Sequence, residues 1–495
     1  MDERPFQTGS GVGAHVTNLI IQVTKYIMLV LILLYTLSTF HYLRMKTHKK
    51  RNRDCALQLF CMFMLHLTGY LAIILYTGET IILTFYLAQV VFFILYLVLF
   101  RVIYKKSSRL LVNNTCMLLA ISFIMLTRLG VERAVRQFII TVAAAALAMA
   151  VPVVVRKMRY LWRFGWLYAA IGVAALGAIM LFSRTQFGAN LSFNIGGFFS
   201  LQPSEFVKIS FVFFVASMFQ TSISFRRVVV TTAVAALHVL ILVASKDLGA
   251  ALIFFIAYLL MLFVATRSYL YLFEGLAAGS AASVLAYKVF SHVRTRVQVW
   301  RDPWADPTGD GWQILQSLFA IGSGGWLGSG LYQGMPDTIP VVRSDFIFSA
   351  ISEEMGGVFA IALILICLSC LLQFLWISTW MDGMFYKIIA FGLAAVYGAQ
   401  VFLNIGGVIK FIPSTGITLP FVSYGGSSIL STFIMFGIIQ GLYILKQDEV
   451  DRIEQERKLE RRRREVYKKR YGAGPAGAGN PGTGRKRNPE GRKTY

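Results

Sequence analysis

Apolar runs of about 20 residues, the length that crosses a hydrocarbon core, recur along the whole chain. They cover roughly 19–41, 58–77, 81–103, 111–127, 137–155, 166–182, 204–221, 228–244, 249–265, 269–291, 349–374, 386–408 and 426–445. A backbone in hydrocarbon must satisfy its own N–H and C=O groups, so runs of this length fold as helices. About thirteen spans are therefore expected, and the fold class is an all-α polytopic membrane protein. Composition agrees: of 495 residues, 56% are hydrophobic and 15% charged, outside the range of an ordinary soluble domain. No cleavable signal peptide is expected. The first run is longer than an h-region, and its basic flank follows it.

Lys and Arg in the short loops set the orientation. Arg44, Lys46, Lys49, Lys50, Arg51 and Arg53 mark the first loop as cytoplasmic. Alternation then places Lys105, Lys106 and Arg109 inside, with Arg156, Lys157, Arg159, Arg163, Arg226 and Arg227. The N-terminus falls outside and the C-terminus in the cytoplasm. Residues 183–202 and the long segment 291–348 then lie outside. Of the net charge of +24, a third sits from Lys446 on, where sixteen basic residues meet eight acidic ones. Residues 448–470 read as a charged helix continuing the last span, and 471–495 as a Gly/Pro-rich disordered segment. Attraction to anionic lipid headgroups accounts for such a tail, and nucleic-acid binding is not expected. The five cysteines lie in or beside apolar runs, so neither a disulfide framework nor a redox site is expected of them.

Charge near hydrocarbon is costly and marks functional candidates. Residues 1–104, three spans, hold almost none. From 105 to 446 polar residues cluster toward the outer leaflet. Asp345 opens Ser-Asp-Phe-Ile-Phe-Ser-Ala-Ile-Ser-Glu-Glu-Met-Gly at 344–356, with Glu353 and Glu354 about two turns on. Glu205 and Lys208 are three apart and share a helix face, either as a neutralised structural pair or as the lining of a cavity. Asp247 stands in a short external turn. Ser423-Tyr-Gly425-Gly426-Ser427-Ser428 leads into the last span, where glycines allow close backbone approach and helix-start amides suit a phosphate. Asp302, Asp306 and Asp310 could hold a metal, but in this Gly/Pro-rich stretch they read more simply as turn caps.

Four blocks carry a resemblance: FFSLQPSEFVKI (198–209), DPWADPTGDGWQILQSLFAIGSGGWLGSGL (302–331), PVVRSDFIFSAISEEMG (340–356) and PSTGITLPFVSYGGSS (413–428). They resemble the SEDS family (shape, elongation, division and sporulation; RodA/FtsW/SpoVE-like). The resemblance covers residues 105–446 as a ten-span SEDS core, preceded by three extra transmembrane helices and followed by the basic cytoplasmic tail, 447–495. It implies a peptidoglycan glycosyltransferase of the bacterial cytoplasmic membrane that polymerises lipid II, in elongation, division or sporulation, with a class B penicillin-binding protein as partner. The family's essential aspartate falls on Asp345. The chain departs from the family at Gly188–Phe193, where an Arg and a Trp are usual, and at Val341, Lys410 and Phe411.

The chemistry fits these residues. A polyprenyl pyrophosphate is already a good leaving group, so transfer needs a general acid less than glycoside hydrolysis does. One carboxylate must take the proton of the acceptor hydroxyl, and Asp345 is placed for that. Negative charge grows on the pyrophosphate, which a cation or helix-start amides would stabilise. Arg343, Lys208 and the turn Gly425–Ser428 are candidates. Glu205, Asp247, Glu353, Ser423, Gly426 and Ser427 complete the expected substrate-binding set. A divalent cation, Mg²⁺ or Mn²⁺, is the only cofactor expected. Two other classes stay open: a flippase for a lipid-linked precursor, which the buried charges would equally serve, and a scaffold, which leaves Asp345 without a role.

Overall fold

The computed structural model describes residues 11–45, 47–157, 160–182, 185–186, 189–190, 193–195 and 199–472. Its helices run in the order α1 (Gly11–Arg44), α2 (His48–Thr77), α3 (Thr80–Ile103), α4 (Arg109–Leu129), α5 (Val131–Ala148), α6 (Val151–Lys157) and α7 (Gly165–Phe182). Two short antiparallel ladders follow, β1 (Thr185–Gln186) with β2 (Ala189–Asn190) and β3 (Phe193–Ile195) with β4 (Phe199–Leu201). Then come α8 (Ser204–Thr221), α9 (Phe225–Ala244), α10 (Leu248–Thr266), α11 (Tyr269–Val289), α12 (Ser291–Arg301), α13 (Trp312–Gly324), α14 (Ile347–Met355), α15 (Gly357–Trp380), α16 (Met384–Val408) and α17 (Gly426–Tyr471). The chain forms two units, Met1–Ile444 and Leu445–Tyr495. Within the second, helix continues to Tyr471 with a charged, exposed surface. The disorder expected for the tail beyond Gly472 lies outside the described residues.

Among the described residues, twelve helices are long and apolar enough to cross a membrane. The expected span at 204–221 is not one of them, because α8 carries Glu205 and Lys208 in its first turns. It is nonetheless a helix packed between α7 and α16, and with it the expected thirteen are accounted for. This is a multi-pass membrane protein. Two expectations need correcting. The apolar run 349–374 is not one helix: Gly356, at φ 92, breaks it into α14 and α15. A Cβ at Gly356 would collide with the backbone of Leu327 and Gly328, so only glycine lets the two segments meet. Nor is the segment 291–348, read as lying outside, without structure of its own. It contains α12 and α13, and Ser317 of α13 donates to Val408 O at 3.0 Å and meets Ser349 Oγ at 2.7 Å.

Helix α4 is buried over its whole length. It is enclosed because α1–α3 pack on the flank that α15 and α5 leave open. In hydrocarbon, small and polar side chains supply the attraction between helices. Here Tyr35 donates to Asn114 Oδ1 at 2.8 Å and Asn113 to Gln58 Oε1 at 2.9 Å. Farther along α4, Tyr70 meets Thr127 Oγ1 at 2.8 Å. Gln22 and Lys25 of α1 and the end of α2 lie on the face of the molecule that carries residues 328–332. The opposite ends meet at His41–Asp54, 2.8 Å apart, and at Arg109–Asn52, also 2.8 Å.

Candidate active site

Asp345 lies in a run of turns two residues before α14. Its backbone is fixed from the neighbouring span: Asn404 Nδ2 on α16 donates to Asp345 O at 2.9 Å and to Ile417 O at 2.6 Å. One amide therefore pins the aspartate beside the segment 413–418. The Ser423 hydroxyl ties the same two segments, donating to Ser344 O while accepting from Leu419 N at 2.8 Å. Tyr424 N donates to Arg343 O at 2.8 Å. The third and fourth of the blocks read from the sequence, 340–356 and 413–428, thus close around one point.

That point is Gly416, at φ 71. Both the Asp345 carboxylate and the Arg296 guanidinium reach it: a Cβ there would lie 3.5 Å from Asp345 Oδ2 and 3.9 Å from Arg296 Nη2. Arg296, on α12, also donates to Ser414 O at 3.3 Å. Among the described residues no ion pair closes on the Asp345 carboxylate. Burial raises its pKa, against the opposing pull of the Ser344 hydroxyl and the Arg296 charge. Arg296 feels Asp247 as well as Asp345, and His292 feels Arg296 and Lys246. Asp345 and Arg296 therefore meet at the 413–418 segment, with Asp247 close enough for its charge to act on Arg296. Lys246 stood in the polar turn beside Asp247, but Arg296 had no motif to announce it. The only signal was two arginines, Arg294 and Arg296, just upstream of an acidic stretch.

Asp247 caps α10, accepting from Ala250 N at 3.1 Å. It also accepts from Ser204 Oγ at 3.0 Å and Gln202 Nε2 at 3.4 Å. Burial raises its pKa in spite of these donors. Glu205 and Lys208 form a pair at 2.5 Å, with side chains 13% and 4% exposed. Lys208 donates to Gln400 Oε1 at 2.9 Å, Gln400 donates on to Thr418 O at 3.2 Å, and Ser431 donates to Glu205 at 2.7 Å. The pair therefore connects α8, α16 and α17 to the same 413–418 segment.

Other expected residues serve elsewhere. Both Nε and Nη2 of Arg343 donate to Leu129 O, closing the end of α4. Glu353 accepts from Met335 N at 2.8 Å and so braces the loop before it. Gly425 N donates to Gln137 Oε1 at 3.2 Å, and Ser427 Oγ accepts from Gln202 N at 2.9 Å. The amide expected to greet a phosphate at Gly425 is thus already bonded, while Gly426 starts α17. Asp302 and Asp306 cap turns as expected, accepting from Trp304 N and from Gly309 N and Asp310 N, each at 3.0 Å.

Residues 108–447 match the model of the family described as cell cycle protein, FtsW/RodA/SpoVE. The chain belongs to the FtsW/RodA/SpoVE family. It is 34% identical over 317 residues to the peptidoglycan glycosyltransferase RodA of Mycobacterium tuberculosis, covering 60% of this chain and 67% of that one. To stage V sporulation protein E of Bacillus subtilis it is 33% identical over 282 residues, covering 55% and 75%. Its fold is similar to a chain in the solved structure of a peptidoglycan synthase complex (TM-score 0.57, 24% identity, 69% and 98% covered). The family match takes in Asp345, Arg296, Gly416 and the Glu205–Lys208 pair, and leaves α1–α3 outside it.

Proposed function

We propose that the chain is a peptidoglycan glycosyltransferase that extends glycan strands from lipid II, with Asp345 as general base. The observation that carries the mechanism is the meeting of Asp345 and Arg296 at Gly416, with no ion pair on Asp345 among the described residues. The acceptor sugar hydroxyl attacks the anomeric carbon of the donor, and the bond from that carbon to the polyprenyl pyrophosphate breaks. Asp345 takes the hydroxyl proton. The leaving pyrophosphate gains negative charge beside Arg296, a cation already in place before charge develops. Gly416 keeps the segment between them free of a side chain.

A divalent cation would share this site with the substrate. Among the described residues no three His, Cys, Asp or Glu side chains form a cage. Mg²⁺ commonly binds through one or two carboxylates plus substrate phosphates, and Asp345 with the pyrophosphate meets that pattern. Orientation follows the basic loops: the Asp345 face extracytoplasmic, the N-terminus outside and the tail in the cytoplasm. The solved relative belongs to a complex that coordinates polymerization with crosslinking. That likeness supports a crosslinking partner, a class B penicillin-binding protein, for this chain too.

The test is purified protein with lipid II, reading glycan chains by length. Asp345→Asn should insert and fold normally and lose about 10²–10⁴-fold in polymerisation. Near-parental polymer from Asp345→Asn would end the role of Asp345. Movement of lipid II between leaflets without polymer would favour the flippase reading instead.

A further inference from the structure

Helices α1 and α2 grip a loop that is bonded, in turn, to the segment carrying Asp345. Lys25 Nζ donates to Gly328 O at 3.0 Å, and Gln22 Nε2 donates to Ser329 O at 3.1 Å. The Tyr76 ring stacks on Tyr332 with centroids 4.1 Å apart and planes at 15°. The Arg128 guanidinium also lies over Tyr332, 4.5 Å from its centroid. Tyr332 sits at φ 63, a left-handed conformation that costs a non-glycine residue energy and persists where its surroundings over-determine it.

The loop passes that constraint on. Ser329 N donates to Glu353 O at 2.9 Å and Gly330 N to Glu354 O at 2.8 Å. Tyr332 N donates to the Glu354 carboxylate at 3.1 Å, and the same carboxylate pairs with Arg128 at 2.8 Å. A Cβ at Gly328 would collide with the backbone of Glu354, so the loop lies directly on the end of α14. This helix of nine residues begins two residues past Asp345, and its far end is what the loop holds. A second tie lies beside it: Gln89 Nε2 donates to Tyr70 OH at 2.6 Å, next to the Tyr70–Thr127 contact and adjacent in sequence to Arg128.

We infer that α1–α3 are a brace on the active-site segment. Lys25 and Tyr76 are positioning residues that hold the loop 328–332, so that α14 keeps the Asp345 carboxylate at Gly416. The inference rests on Asp345 being the catalytic base, and it assigns a role to helices that lie outside the family match.

The test uses the full chain in detergent, comparing Lys25→Met, Tyr76→Ala and Tyr76→Phe. Coupling through such contacts changes rates by about two- to thirty-fold. Lys25→Met and Tyr76→Ala should lower kcat by that amount with KM nearly constant, the mark of a misplaced catalytic group. Tyr76→Phe, which keeps the stacking ring, should retain the parent kcat. Hydrogen exchange without substrate should quicken in peptides from 328 to 355 and stay at the parent rate in α10 and α16. Parent-like kcat and exchange in both variants would overturn the brace. So would a loss of kcat that merely tracks folded yield, with Tyr76→Phe no better than Tyr76→Ala. Equal polymerisation by the parent and Asp345→Asn would strike the base assignment alone, leaving the exchange measurement to decide the brace.

Discussion

Burial and a guanidinium pull the Asp345 carboxyl in opposite directions, and burial wins, so its pKa lies above the ordinary aspartate range. A base must be ionised to work. The acid limb of kcat/KM should therefore fall at higher pH than an exposed aspartate would give. Arg296 holds that limb down, so Arg296→Gln should move it further up and Arg296→Lys should restore it in part. A pH–rate profile of the three proteins reads this, and an acid limb unmoved by Arg296→Gln would dissolve the coupling at Gly416. Asp345 was legible in the sequence because a carboxylate at the mouth of an apolar helix is conspicuous. Arg296 was not, since its importance depends on α12 folding back over the 413–418 segment.

Among the elements, α8 shows how far a sequence argument reaches. Spacing alone put Glu205 and Lys208 on one face, and they do pair. The further contacts with Gln400 and Ser431 come from two other helices. Removing one partner of a buried pair costs about 3–5 kcal/mol in soluble proteins. Glu205→Ala or Lys208→Ala should therefore lower yield and melting temperature in detergent. The swap Glu205→Lys with Lys208→Glu should recover stability, because Gln400 can present its amide and Ser431 can accept. Polymerisation should recover less, since Gln400 also donates to Thr418 O beside the active site. Full recovery of activity along with stability would make the pair a structural one only. The division of the 349–374 run had a visible marker in Gly356, but a lone glycine is common in spans. Its meaning lay in the backbone of Leu327 and Gly328 that presses on it.

At the scale of the whole molecule, the reading depends on sidedness. Gln22 and Lys25 of α1, the end of α2 and the 328–332 loop share one face, so an outside N-terminus and an outside active site stand or fall together. Single cysteines test this with an impermeant thiol reagent on intact cells. All five native cysteines are buried and free, so the native background should label weakly. Thr308 is the better outer position, because a Cβ at Gly309 would clash with the Asp306 carboxylate. Thr308→Cys should react in intact cells and Lys105→Cys only after lysis. The reverse pattern would put Asp345 on the cytoplasmic side and remove the extracytoplasmic polymerase.

Length and apolarity were enough to determine the spans and their approximate number, because a backbone in hydrocarbon has few ways to satisfy itself, while four motif blocks carried the family. Local spacing was enough for the Glu205–Lys208 pair and for the caps at Asp302 and Asp306. What only the tertiary structure decided was which polar groups meet. Arg343 and Glu353 read in the sequence as substrate-binding candidates beside Asp345, yet they bind Leu129 O and Met335 N, while Arg296 arrives at Gly416. Helices α1–α3 read as three extra spans ahead of the core, and only the packing shows that they help enclose α4. The physical reason is common to both: a polar group near hydrocarbon must find a partner, and that partner is chosen by packing between segments far apart in the chain.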